Sequence, residues 1–340
     1  MKAAFTMSLA TALALLGVAG CSKNTVEPVA SPVPKGMPWV AQGNNWAAEK
    51  AKLQALGEQF ENSWALYEKL RADAQGGQPL TWQQLSLPAF DWSGLYTRSS
   101  RGIQFDPDLG KNAGPDSAQL TAEGAAVVQK KREQLARTGG GEYDPISDCR
   151  PPGTPRWHTE PFMREAIVTP QQTWLINEQV NDVRRVYTDG RAHTSDEDAY
   201  PSWNGDTIGF WDGDILVTHT KHLMSGQFQR GLQPDYSDQT TLVERWRKVD
   251  AKTLQADVWV FDPVNLAKPW YTRQSWTMVP NKDRTLRIRY WDCRENSNNS
   301  IVKQEDGSSD FKGFDFLQKS DAAASGSAAA KKKAPQPAKR

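Results

Sequence analysis

The chemistry available to this chain is concentrated around its four histidines, His158, His193, His219 and His222. His158 follows Arg156-Trp157 and precedes Glu160 in a proline-rich stretch, and an imidazole beside a carboxylate has the makings of a general base. His193 follows the turn-forming run Asp189-Gly190-Arg191. Glu244 lies in a strand-like run, and an inward carboxylate there would require an arginine partner. His158, His193 and Glu244 are therefore the candidate proton-transfer residues. Each also has a plain structural reading. His158 could plug one end of a barrel, with Arg150 and Arg156 bonding carbonyls, while Asp189 to His193 is first a hairpin turn. Arg184, Arg185, Glu244, Arg245 and Arg247 would make cross-strand ion pairs on a wet face.

His219 and His222 are three residues apart, with Asp212 and Asp214 upstream. If the strand ran on to 222, this odd spacing would put the two rings on opposite faces, and Asp212-Gly213 is explained by a turn. No metal and no other cofactor is expected. Nucleophile elbow, phosphate loop and zinc-protease helix signatures are missing, and Gly139-Gly140-Gly141 reads as a linker. The 14 tryptophans of the 340 residues are enough either to fill a core or to line a pocket for a flat apolar molecule. Core is the default, and Trp174, Trp246, Trp259 and Trp276 are the candidate ligand contacts.

These residues must be positioned by sheet. After Cys149 the pattern predicts strands over 166–169, 173–179, 183–188, 207–211, 215–220, 241–249, 254–262, 271–279 and 286–292, after a first short strand in 90–96. Asp189-Gly190 and Asp212-Gly213 supply the positive φ that tight hairpins need. No long helix interrupts the later strands, so the expected fold is mainly β. It is an antiparallel meander closed into a barrel or strongly curled, lipocalin-like in general shape, with two accessory helices. One helix is predicted in the 43–78 segment, where Trp46, Leu53, Leu56, Phe60, Trp64, Tyr67 and Leu70 recur at helical spacing. The other is predicted near 121–137 within a single β-rich domain spanning 79–319.

The ends have a different character. Residues 1–20 join Lys2 to an apolar run too short to span a bilayer comfortably, the layout of a secretory signal peptide. Residues 21–42 read as a proline-containing tether, and 320–340 as an Ala/Lys/Pro tail too polar to bury a core. Lys331, Lys332 and Lys333 in that tail suit an anionic lipid or envelope polymer. A formal net charge of +1 gives no nucleic-acid footprint.

Val18-Ala19-Gly20-Cys21 resembles a bacterial lipobox. The resemblance implies cleavage before Cys21, fatty acylation of that residue, and membrane attachment through the lipid. Ser22, rather than Asp, is similar to lipoproteins passed on to the outer membrane, facing the periplasm. With Cys21 lipidated, an oxidising compartment favours pairing of Cys149 with Cys293, the alternative being two buried thiols.

Further blocks resemble a widespread secreted bacterial family of unassigned function. They are Cys149-Arg150-Pro151-Pro152-Gly153-Thr154-Pro155-Arg156, Val183-Arg184-Arg185-Val186-Tyr187-Thr188-Asp189-Gly190-Arg191, Trp211-Asp212-Gly213-Asp214, Lys268-Pro269-Trp270 and Cys293-Arg294-Glu295-Asn296. The resemblance implies export and one structural unit over about 90–298, and it brings no catalytic residues with it. The chain departs from the family at His219, where an acid is usual, and at Thr194, where a proline is. The resulting expectation is a non-enzymatic envelope lipoprotein that binds a small apolar or aromatic molecule or supports an envelope assembly. The alternatives are an enzyme using acid–base chemistry on a small molecule within the barrel, and a purely structural envelope lipoprotein.

Overall fold

Alternating side chains after Cys149 build a closed barrel in the computed structural model, which describes residues 46–99, 118–138, 143–228, 234–280, 286–293, 301–305 and 307–311. The expected signal peptide over 1–20, Cys21, the expected tether, Gly139–Gly141 and the tail with Lys331, Lys332 and Lys333 lie outside the described residues. In chain order the elements are α1 (Trp46–Glu58), α2 (Ser63–Asp73), β1 (Leu95–Arg98), α3 (Ala122–Thr138), β2 (Arg164–Val168), β3 (Gln172–Asn177), β4 (Asp182–Tyr187), β5 (Asp206–Asp212) and β6 (Ile215–Lys221). They continue with β7 (Gly226–Gln227), β8 (Asp235–Tyr236), β9 (Thr241–Lys248), β10 (Thr253–Phe261), β11 (Trp270–Met278), β12 (Ile301–Lys303) and β13 (Ser309–Phe311). Nine strands close in the order β1-β11-β10-β9-β6-β5-β4-β3-β2, while β7/β8 and β12/β13 form separate two-stranded ribbons.

Three sequence expectations are corrected. The barrel is mixed, because β4 meets β5 in parallel at Tyr187 and Ile208, while its other pairings are antiparallel. The 188–205 connection is long enough to carry the chain back along the barrel, which a parallel neighbour requires. Residues 286–292 alternate like a strand but form none. β11 is already flanked by β10 and β1, so no barrel edge remains for them. Asn181 instead holds this segment, accepting from Trp291 N–H at 2.9 Å and donating to Trp291 O at 3.1 Å. Finally, the helix expected in 43–78 is two helices. The Asn62 side chain accepts from Ala65 N–H at 2.9 Å and so caps a new helix at Ser63.

The two faces of each strand have separate roles. Leu242, Glu244 and Trp246 of β9 point inward with Leu254, Ala256, Val258 and Val260 of β10. Val243 of β9 and Trp259 of β10 point outward and belong to a second apolar cluster with Leu53 of α1 and Leu66 and Tyr67 of α2. This part of the outer wall is dry because the helices cover it. Each such side chain contributes on the order of 1.5–3 kcal/mol when fully buried. Packing is close enough that a Cβ on Gly57 would stand 2.6 Å from the Trp259 ring. Inside, a 3-10 turn at Arg156–His158 sets Trp157 against Trp246 and Trp276, whose rings stack at 5.1 Å. A disulfide joins Cys149 to Cys293, with Cα atoms 5.8 Å apart.

Candidate functional site

Two groups of titratable side chains stand out, one inside the barrel and one on its wall. The inner one joins two of the three sequence candidates. His158 Nε2 lies 2.8 Å from Glu244 Oε1, and Arg184 clamps both carboxylate oxygens. Thr218 Oγ1 donates to Glu244 at 2.8 Å, and Arg184 donates to Thr220 at 2.8 Å. Burial works against the Glu244 charge, yet Arg184 and His158 hold its carboxyl below the usual range. Burial also lowers His158. All three side chains are fully enclosed, and neither His158 nor Glu244 lines a described cleft. This group ties β4 to β6 and β9 across the barrel interior.

The outer group is a continuous chain of four side chains. Asp206 opens β5, and the register pairs it with Lys221 and pairs Ile208 with His219, so Asp206 and His219 share the outward face. His193 reaches the same face from the 188–205 connection. Ser63, the first residue of α2, comes down on it from the helix. Asp206 Oδ2 is 3.1 Å from His193 Nδ1, and His193 Nε2 is 2.8 Å from His219 Nδ1. His219 Nε2 is 2.9 Å from Ser63 Oγ, whose hydroxyl donates to Thr241 Oγ1 at the start of β9 at 2.7 Å.

Electrostatics gives this chain a direction. Burial would raise Asp206, but the bond from His193 and the Thr194 N–H, at 2.7 Å, hold its carboxyl below the usual range. An ionised carboxylate only accepts hydrogen bonds, so it takes the Nδ1 proton of His193. With His193 neutral, its Nε2 is bare and accepts from His219 Nδ1–H, which leaves His219 Nε2 bare toward Ser63 Oγ. His219 is neutral in this arrangement. Burial, with His193 and Lys221 adding to it, lowers it to about 3. Trp64 sets its ring edge-on to His219 at 5.2 Å, and Tyr67 packs 5.5 Å from the same imidazole.

The chain borders a cleft of about 1010 Å³. Ser63, Trp64, His193 and His219 line it together with Phe261, Pro263, Leu266 and Pro269. Two lysines line it, and both are paired, Lys221 with Asp196 at 2.7 Å and Lys268 with Glu58 at 3.2 Å.

The remaining sequence candidates are dispersed. His222 leaves β6 with φ 58° and does not converge with His219, its Nε2 lying 3.3 Å from Thr194 O. Asp214 pairs with Arg247 at 3.1 Å. Among the described residues no group of three or more His, Cys, Asp or Glu is arranged to hold a metal. Trp246 and Trp276 lie in the barrel stack, Trp259 donates to Leu53 O under α1 at 2.8 Å, and Trp174 faces outward against Arg185. None of the four lines a described cleft.

Ser63 and Asp206 escaped the sequence reading. A tight Asp212-Gly213 hairpin fixes register, so Asp206 could have been placed beside His219 from sequence. Ser63 had no local signal, since only tertiary packing puts a helix start on β6. Compared with family models, curated proteins and solved structures, the chain matches none.

Proposed function

We propose that the protein binds a small, uncharged molecule with an apolar or aromatic body in the cleft between α2 and the barrel wall, while lipid on Cys21 holds it at the bacterial envelope. The cleft carries this reading. Its volume of about 1010 Å³ suits a compact ligand, and its lining combines apolar side chains with polar ones. A formally neutral ligand fits because the lysines at the rim already have carboxylate partners. The barrel interior is a poorer host, being occupied by Trp157, Trp246 and Trp276.

N-phenyl-1-naphthylamine, a neutral aromatic fluorophore, provides the test. Saturable binding is expected, weakened about tenfold by Trp64→Ala, the equivalent of ~1.4 kcal/mol. Trp64 is 43% exposed, so its removal leaves the core intact. Binding unaffected by Trp64→Ala, or no binding at all, overturns this reading.

A further inference from the structure

We propose that Ser63 is a nucleophile served by the His219–His193–Asp206 chain, and that the protein hydrolyses small uncharged carboxylic esters in this cleft. The inference rests on the cleft being a ligand site and adds a reaction to it. A serine hydroxyl is a poor nucleophile until a base removes its proton, and a base must itself be oriented by a third group. Here the bare Nε2 of His219 faces Ser63 Oγ at 2.9 Å. The 2.8 Å bond to His193 fixes the tautomer, and Asp206 fixes that of His193 in turn. Both His219 and Ser63 are buried yet border the cleft, so an ester seated there meets a group shielded from bulk water.

Ser63 Oγ bonds to the ester carbonyl carbon. Its proton, donated to Thr241 Oγ1 at rest, swings across to His219 Nε2, 2.9 Å from the oxygen, and passes to it. His219 is too buried to keep the charge, so its Nδ1 proton moves to His193 Nε2. The positive charge then rests on His193, against the Asp206 carboxylate. The carbonyl oxygen becomes an oxyanion. Of the opening N–H groups of α2, that of Ala65 is taken by the Asn62 side chain and that of Leu66 by Asn62 O, while those of Ser63 and Trp64 have no carbonyl within the helix to bond. Collapse breaks the ester C–O bond, and the relay returns the proton to the leaving alcohol. Water then attacks the acyl-Ser63, loses its proton to His219, and releases the carboxylic acid with Ser63 restored. Ester and water become acid and alcohol with no further reactant. Two imidazoles in series move the charge away from a buried ring to one nearer the carboxylate.

The experiment uses the full chain with 4-nitrophenyl butyrate as substrate and a fluorophosphonate as a covalent trap. The expected results are turnover of the ester and a single fluorophosphonate adduct that maps to Ser63. Ser63→Ala should lower turnover roughly 100-fold or more and abolish the adduct. The melting temperature of Ser63→Ala should match that of wild type, which separates loss of chemistry from loss of fold. If wild type binds the fluorophore but neither turns over the ester nor acquires the adduct, the nucleophile is refuted and the cleft stands. An adduct on another residue also refutes it. If the fluorophore does not bind while Ser63 is labelled, the ligand reading fails and the reactive serine stands.

Discussion

His193 Nε2 and His219 Nδ1 stand 2.8 Å apart, so two imidazoles bridge a carboxylate and a hydroxyl that could not otherwise touch. The contact joins a loop residue to a strand residue, and its two ends belong to β5 and α2. Breaking it at any point changes the tautomer of every ring beyond the break.

Asp206→Asn tests that coupling. An amide can turn an N–H toward His193 Nδ1, which would push the His193 proton to Nε2 and reverse both rings. Ester turnover should fall by about 100-fold or more, as expected when a base is held in the wrong tautomer. Nitrogen-15 spectra of the histidine side chains should show the Nδ1-protonated rings becoming Nε2-protonated. Unchanged tautomers with unchanged turnover would contradict the direction assigned to the chain.

Stability should decline in mild acid. His219 is lowered to about 3 from 6.5 and His158 is lowered as well, both by burial, so the unfolded chain binds more protons than the fold below about pH 6.5. The stabilisation is complete above pH 6.5 and is lost progressively as pH falls toward 3. Asp182, pushed up to about 6 by burial, opposes this over its own range, since it gains a proton earlier in the fold than in the unfolded chain. Melting temperature at pH 7 and pH 5 reads the balance, and His219→Gln should flatten the slope.

Inside the barrel, Arg184→Met leaves Glu244 buried with only His158 and Thr218, and should cost about 3–5 kcal/mol. The pair Arg184→Met with Glu244→Leu removes both charges and should recover much of that loss. Urea unfolding of wild type, single and double variants measures the coupling, and additive losses would show that the two charges do not support each other.

The Cys149–Cys293 bond closes a loop with a sequence separation of 144. Chain entropy assigns such a loop about 4–5 kcal/mol, and reduction should lower the unfolding midpoint accordingly. Cys149→Ser combined with Cys293→Ser should match the reduced wild type. A midpoint indifferent to reductant would mean that the bond adds little.

If Cys21 is acylated as proposed, Cys21→Ser expressed in a bacterium should carry no fatty acid and should shift from the membrane to the soluble fraction. Membrane retention of the unlipidated variant would place the anchor elsewhere in the chain.

Strand positions were legible because the period-2 alternation after Cys149 reports burial directly. The failure at 286–292 has the same origin, since alternation shows that a segment could lie in a sheet and not whether an edge is free. The parallel β4/β5 junction depends on where a long connection ends, which composition does not encode. At the outer site, His193 was recognised from its neighbours in sequence. Its partners come from three other elements, so no local spacing joins them. The inward pairing of Glu244 was a stated alternative, and Arg184 rather than Arg185 fills it because β4 turns its even-numbered residues inward.

The seam of the barrel also sets the order in which the chain can fold. β1 is four residues long, and it bonds to β2 on one side and to β11 on the other. A chain made from its N-terminus holds β1 early but cannot close the ring until β11 has emerged, almost at the end of the β region. The strand pairing with the greatest sequence separation is thus the one that completes the barrel, and such contacts form slowly. Until then Tyr96 and Trp276 each lack the neighbour across the seam. An exported chain would cross its membrane and reach the far side with its barrel still open.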